Sequence, residues 1–505
     1  MKADICVIGA GVVGIVSALE LQARGADVVL VDKQQFGRQT SFGNAGVLSA
    51  STVLNVNNPG LWRALPALIL GTAPYFRYDL AYAISRLPWL LKFLHRGSRR
   101  YTLSTANSLH ELQALSLARH SQFISSADAD GLYQARGWLK VFQDQRGFDS
   151  SALERRLLEE LDIPFQRLSA DELRGLEPGL HPIYHSGLLL SATCSVSDPY
   201  LLCKAYFELF KKRGGRFELI DVAAVAENAG TYRIRSDDAS TELRSDNIVI
   251  ACGPWSVDVC RLLGYKIPMA WERGYHVNVE SPSTPLNRPV CDVQRGFVMA
   301  PQGKTTRITS GVEFAHRDAP PDYSQIQRAY RNAKSAAPVG KMTDEVPWLG
   351  SRPTLPDGLP IIGAAPRHQT GRSRSSISCA GWPGCAGWGR NDSKSNPGDT
   401  QLRLKSWLSI MFLLGLGVAA IGLGSGPKPA TRVWDMPTAY PADNYQSQTA
   451  QLFADEVNAC VDGEIRIVVH PGGSLFKGNE IKRAVETGQV PLGERLLSVH
   501  SNDNQ

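Results

Sequence analysis

The sequence predicts an α/β fold (α+β over the whole chain), with a Rossmann-like dinucleotide-binding domain interleaved with a second domain built on an antiparallel sheet. Three observations predict it. A glycine-rich turn links a short apolar run to an apolar-faced helical stretch at the start of the chain. A second apolar run ends in an acid 18 residues after the last of those glycines. Residues 266–316 then break into short strand-like runs separated by Pro and Gly.

The elements follow in order. Ala3–Gly9 and Asp27–Asp32 read as strands, with a helix from Val12 to Arg24 between them. A helical region about 105–127, a helix at 198–213 and a strand Asn247–Cys252 come later. The apolar stretch Leu61–Leu94 is broken by Pro66, Pro74 and Pro88 and by Arg63, Arg77 and Arg86. It reads as helices over a site, or a membrane-surface patch, rather than a span. A strand already at Ala3–Ile8 leaves no signal peptide at the start.

Composition narrows the classes. With 505 residues, 43% apolar and 20% charged, the chain has material for two or three domains with sizeable cores. Its 54 Lys+Arg against 48 Asp+Glu give net +6, spread too thinly to argue for nucleic acid. Nine scattered cysteines without a CxxC read as reduced core residues, not a disulfide framework or zinc site. No metal is expected.

The chemistry sits in Gly9-Ala10-Gly11-Val12-Val13-Gly14, a GxGxxG in its required strand–turn–helix setting. Gly9 permits the turn, Gly11 admits a pyrophosphate, and Gly14 lets helix and strand approach. The helix N-terminus offers free amides to phosphate. Asp32 is placed to bind an adenosine ribose, with Lys33 beside it. The fingerprint alone fits NAD or FAD. The small polar loop Gly37–Gly46, containing Thr40, Ser41, Asn44, Ala45 and Gly46, favours FAD, because a flavin needs backbone amides along its ring system. Ile248–Ser256, with Ala251 and Gly253, fits the same need, and Val222 and Gly363 complete the expected cofactor contacts.

These residues resemble the FAD-dependent oxidoreductases of the D-amino-acid oxidase superfamily, in particular the D-amino-acid dehydrogenase small-subunit branch. Arg273-Gly274-Tyr275-His276, Arg307–Glu313 and Trp348–Gly363 are similar to further motifs of that branch. The likeness covers about residues 1–368. It implies FAD as cofactor, a D-amino acid or cyclic D-imino acid as substrate, and a quinone or other electron acceptor. It also implies Arg273 or Arg307 as the carboxylate-binding arginine, with Tyr275 and His276 lining the substrate pocket. The flavin-binding parts are expected at about 1–60, 150–260 and 340–369. An oxygen-using oxidase of glycine, sarcosine or hydroxyproline is the rival within the enzyme class.

After Gln369 the pattern changes. Of the 32 residues 370–401, 14 are Gly, Ser or Pro, which reads as a disordered linker or a stretch out of its original frame. Cys379 and Cys385 as metal ligands is a weaker reading, with no further ligand at suitable spacing. From Ser406 to Pro427 there are 22 uncharged residues behind Arg403 and Lys405. That segment, about 402–424, suits a signal peptide or a membrane span better than a buried helix. Trp434–Tyr440 and Phe476–Val490 are similar to the mature start of a TRAP-type periplasmic solute-binding protein. Together these imply a damaged flavoenzyme fused to a truncated α/β binding-protein fragment. The flavin part is expected in the cytoplasm, held to the membrane by the apolar segment, with a periplasmic tail. The rival of another class is a membrane-tethered binding module with a vestigial flavin domain.

Overall fold

A computed structural model of the chain describes residues 2–365, 374–379 and 432–493, apart from 229, 239, 240, 461–464 and 488. It divides into two units, Met1–Asp392 and Ser393–Gln505.

In the first unit, the parallel strands Lys2–Ile8, Val28–Asp32 and Arg216–Leu219 lie side by side, and Glu242–Ile250 flanks Lys2–Ile8 on its other edge. Strands covered on both faces must be apolar throughout, which is why Cys6-Val7-Ile8 and Val28–Val31 read as continuous runs rather than alternations. Val7, Val28 and Leu30 pack on one face with Ile15 and Leu19 of the helix Val12–Gln22. Cys6, Ile8, Val29 and Val31 pack on the other with Ile248 and Ile250. The hairpin Val222–Asn228/Thr231–Ser236 extends the sheet in antiparallel sense.

Arg374–Cys379 is a further parallel strand against Glu242–Ile250, and it also pairs with Ile361–Ala364. The linker expected over 370–401 therefore does not extend through these six residues. Their serines gave no apolar alternation, and ladder hydrogen bonds need none.

The second sheet is organised around Ala270–Glu280. This strand pairs with Thr305–Thr309, Val312–Phe314 and Trp348–Thr354, all antiparallel. Phe297–Gln302, Val290–Asp292, Trp138–Phe142, Ser186–Leu190 and Gln166–Ser169 continue it outward. Two expected boundaries thus move, because the strands at 166–190 and 348–354 belong to this sheet and not to the dinucleotide sheet. A short apolar run marks a buried strand but does not say which sheet recruits it. Three helices, Gly60–Ile69, Leu80–Ser85 and Leu87–Arg96, occupy the stretch broken by prolines, with Pro88 in the first turn of the last. Asp198 caps the helix Pro199–Lys212, accepting from the amides of Tyr200 and Leu201 at 2.8 and 3.0 Å.

In the second unit, Arg432–Pro437 and Ile465–His470 pair in parallel, with the helix Tyr445–Cys460 between them in sequence. Met436, Ala450, Ala454 and Ile467 form its core. The apolar segment at 402–424 lies outside the described residues. Among the described residues, no helix is long and apolar enough to cross a membrane.

Gly14 has the closest approach of the described glycines, since an added Cβ would overlap the Gly9 carbonyl oxygen. Gly14→Val should therefore destabilise the fold itself by roughly 3 kcal/mol, the upper end for overpacking. Chemical denaturation of flavin-free protein reads the shift.

Candidate active site

The fingerprint turn is built around two backbone approaches. Gly9 holds φ +110°, and a Cβ there would stand 2.5 Å from the Ala251 carbonyl oxygen. The turn is fixed from below by Asp32, whose carboxylate accepts from the Ala10 amide at 2.7 Å and from Gln34 at 3.0 Å. Burial raises the Asp32 carboxyl above its ordinary value, and these amides together with Lys33 oppose the rise. Ser41 Oγ accepts from the Val12 amide at 3.0 Å, leaving the next amides of the first helical turn without intrahelical acceptors.

Gly11 differs from Gly9 and Gly14. Its φ is −73°, and an added Cβ would meet only Ser41 Oγ, at 3.2 Å. Nothing in the chain's own packing excludes a side chain there strongly. The space over it belongs to a cavity of about 2040 Å³. That exceeds the roughly 300–1,000 Å³ of an ordinary small-ligand site, so it accommodates a dinucleotide together with a substrate. The residues present fit FAD. Gly9, Gly11, Val12, Val13, Asp32, Lys33, Thr40, Ser41, Asn44, Ala45, Val222, Ala251 and Gly253 all line this cavity.

Four expected cofactor residues stand apart from the wall. Ala10 is fully buried and donates to Asp32, Gly14 packs on Gly9, and Gly46 packs on the Val196 carbonyl. Gly363 lies in the strand Ile361–Ala364 and is not among the residues that line the cavity.

The loop Phe42–Asn44 joins the two sheets. Arg307, 6% exposed, donates through Nη1 to the carbonyls of Phe42 and Asn44 at 2.8 and 2.9 Å, and through Nε to Asn278 at 3.1 Å. Between these two carbonyls, His276 Nδ1 lies 3.2 Å from the oxygen of Gly43. Its ring stacks on Trp348 with centroids 4.9 Å apart. To bond a carbonyl, that nitrogen must carry the imidazole proton. Burial, then the Arg307 charge, lowers the His276 pKa from 6.5 to about 3, so the ring stays neutral.

The expected catalytic set is corrected accordingly. Arg307 and His276 hold the loop rather than a substrate: neither is among the residues that line the cavity, Arg307 Nη1 and His276 Nδ1 are taken by the loop's carbonyls, and Arg307 Nε by the Asn278 side chain. Arg273 is fully buried beneath the sheet. It faces Glu313 at 3.3 Å and donates to the carbonyl of Pro320 at 3.1 Å and to Tyr275 Oη at 3.2 Å. Tyr275 borders the cavity, but its hydroxyl donates to Glu313 at 2.6 Å and accepts from the Asp322 amide. Burial and the Glu313 charge raise its pKa.

Of the three arginines that line the cavity, Arg146, Arg317 and Arg352, Arg352 is the one carried by a strand. It stands directly across from Glu272 on the paired strands, and a Cβ at Gly274 would lie 2.8 Å from its Nη2. Gly274 must be small for the guanidinium to lie over it. Burial pushes the Glu272 carboxyl up, opposed by Arg352 and by a hydrogen bond with Thr354. Trp348, Gly350 and Arg352 alternate along one strand, and all three line the cavity beside Glu272 and Gly274. That period of two was visible in the sequence and is the signal that marks Arg352. Arg317 also reaches the wall, but it is tied to Asp258 at 2.6 Å and to the Pro254 carbonyl at 3.0 Å. Among the described residues, no group of His, Cys, Asp and Glu is arranged to hold a metal.

A fingerprint site for a dinucleotide, opening into one cavity with a carboxylate-sized arginine, defines a nucleotide-dependent oxidoreductase. Residues 4–389 match the family model described as DAO, FAD dependent oxidoreductase. The chain belongs to that family, its cofactor is FAD, and it is an FAD-dependent oxidoreductase. The match runs past residue 368, where the motif likeness stopped. The chain is 29% identical over 370 residues to a D-amino-acid oxidase of Bradyrhizobium diazoefficiens, covering 72% of this chain and 87% of that protein. It is 30% identical over 382 residues to a D-amino acid dehydrogenase of Vibrio vulnificus, covering 71% and 88%. In fold it is similar to glycine oxidase from Bacillus cereus, with TM-score 0.56, 18% identity and coverage of 75% and 90%. L-amino acid deaminase from Proteus vulgaris is similar too, with TM-score 0.57, 16% identity and coverage of 76% and 90%.

Two outcomes follow. Gly11→Val should leave the unfolding midpoint of flavin-free protein near the parent's while abolishing retention of FAD, read as the visible absorbance left after desalting. His276 binds fewer protons folded than unfolded between about 6.5 and 3. Stability should therefore fall as pH drops through that window, by up to roughly 1.4 kcal/mol per pH unit from this residue. His276→Gln should flatten that acid limb in denaturation curves, and an unchanged slope would contradict the assignment.

Proposed function

We propose that this oxidoreductase dehydrogenates D-amino acids or cyclic D-imino acids and passes the electrons to a quinone-type acceptor. The observation that carries the reading is Arg352, a guanidinium laid across Gly274 in the wall of the cofactor cavity. A planar fork of donors suits a carboxylate. FAD, when bound, supplies the acceptor for the hydride that leaves the substrate Cα. The chain's own residues bind and orient. Arg352 holds the substrate carboxylate, and Glu272 on the facing strand is placed to accept from the substrate's amino group. Trp348 and the Phe42–Asn44 loop fix where the cofactor rings lie. The Gly11 turn and the helix amides hold the pyrophosphate, and Asp32 holds the ribose.

The D-amino-acid oxidase and dehydrogenase relatives support a D-configured substrate. The glycine oxidase fold likeness keeps an oxygen-using oxidase as the second reading. For the remainder of the chain we propose the start of a TRAP-type solute-binding lobe, supported by the parallel strand–helix–strand unit at 432–470. We further propose that the flavin unit is cytoplasmic and that the 402–424 segment leads the tail across the membrane. An imported cyclic imino acid such as hydroxyproline then becomes the favoured substrate, since binding protein and enzyme would handle one compound.

Arg352→Ala should lower kcat/KM for D-amino acids roughly a hundredfold, as expected for leaving a buried charged partner unmet, with FAD content unchanged. Arg352→Lys should recover part of the loss, and equal kinetics for Ala and parent would exclude the role. Turnover of the parent should be at least tenfold faster with a quinone than with oxygen. The reverse ratio selects the oxidase reading.

A further inference from the structure

We infer that Thr309 selects a ring hydroxyl on the substrate, so that the preferred class is a cyclic D-imino acid hydroxylated across its ring from the carboxylate. Six Ser and Thr side chains line the cavity: Thr40, Ser41, Thr72, Ser150, Thr309 and Ser310. Five of them are engaged within the chain. Thr40 donates to the Ser351 carbonyl at 2.7 Å, and Ser41 accepts from the Val12 amide. Thr72, Ser150 and Ser310 donate to the carbonyls of Ala67, Gly147 and Gly311. Among the described residues, no polar group meets the Thr309 hydroxyl. The residue is half-buried, and its hydroxyl opens on the cavity instead of being sealed in the core.

Strand register places that hydroxyl. Thr309 stands directly opposite His276, which has Trp348 opposite it on its other side. Thr309 therefore shares the cavity face with Glu272, Gly274 and Arg352. Gly274, over which the Arg352 guanidinium lies, is two residues from His276 along the same strand. Thr309 and Gly274 are thus diagonal neighbours, about 7–8 Å apart. A five-membered ring bridges that gap, with its carboxylate on Arg352 and a hydroxyl on Thr309. Its nitrogen then lies toward Glu272, farther along the strand. Val298, the next residue across the sheet from Thr309, has no polar side-chain atom. A ring hydroxyl here would lose its water unreplaced if Thr309 did not meet it. Tyr75 also borders the cavity with a hydroxyl, but it is 40% exposed and precedes the edge strand Phe76–Tyr78. The reaction is that of the reading above, whereas the contact is a matter of binding, so the two fail separately.

The test titrates the full chain with cis-4-hydroxy-D-proline or with D-proline. Its FAD is reduced beforehand, so that no hydride can leave the ligand and only affinity is read. The parent should bind the hydroxylated ring about fivefold more tightly, the effect of one neutral hydrogen bond. Thr309→Val keeps the side chain's shape and removes the hydroxyl, and it should make the two affinities equal. Thr309→Ser should restore the difference. Both variants should retain FAD, which establishes that they are folded. Tyr75→Phe should keep the parent's preference. Equal affinities in the parent, or a preference that survives in Thr309→Val, would overturn the proposal. A preference lost only in Tyr75→Phe would overturn it too, by assigning the contact to Tyr75. The reaction is read separately with oxidised flavin. A preference that depends on Thr309 while neither ligand bleaches that flavin would support the contact and count against the proposed reaction alone.

Discussion

Three consecutive carbonyls, those of Phe42, Gly43 and Asn44, are held by two side chains of the other sheet. Arg307 takes the outer two and His276 the middle one. This bridge couples the dinucleotide turn to the antiparallel sheet, and the cavity between them takes its shape from it. The constraint is demanding. The imidazole must stay neutral beside a guanidinium, and burial ensures it. Burying the arginine is tolerated because every direction of its fork toward the loop meets an oxygen.

The cavity face follows from that coupling by strand parity. Glu272, Gly274 and His276 point to one side of their strand, toward Arg352, Gly350 and Trp348 of its neighbour. Arg273 and Tyr275 carry their polar ends to the opposite side, where Glu313 receives both. A buried Arg–Glu–Tyr network thus stiffens the sheet beneath the site, while the residues above it are left for ligands. One side stores an ion-paired and hydrogen-bonded network, and the other keeps a guanidinium available.

Sequence made the cofactor half of the site legible because its determinants are local. The turn Gly9–Gly14, the helix after it and Asp32 lie within one strand–helix–strand unit, and each glycine has its own steric reason. The substrate half was less legible. Arg273, Arg307 and Arg352 are the same residue type in strands of similar pattern, and only their pairing decides which one faces the cavity. A shift of one residue in parity exchanges a structural arginine for a ligand-binding one. The strand Arg374–Cys379 is illegible in the sequence for a related reason, since its ladder is made by backbone and its serines give no periodic signal. The helices of the stretch at 61–94 are legible in the sequence, because prolines and arginines at short intervals disfavour a span.

The central claim is that one cavity brings FAD and a carboxylated amine together. It is tested most directly by the visible spectrum of the FAD-loaded full chain, mixed without oxygen or any added acceptor with a D-amino acid or a cyclic D-imino acid. The oxidised flavin band should bleach within the mixing experiment and return when a quinone is added. A band that persists with every amino or imino acid offered, of either configuration, would contradict it.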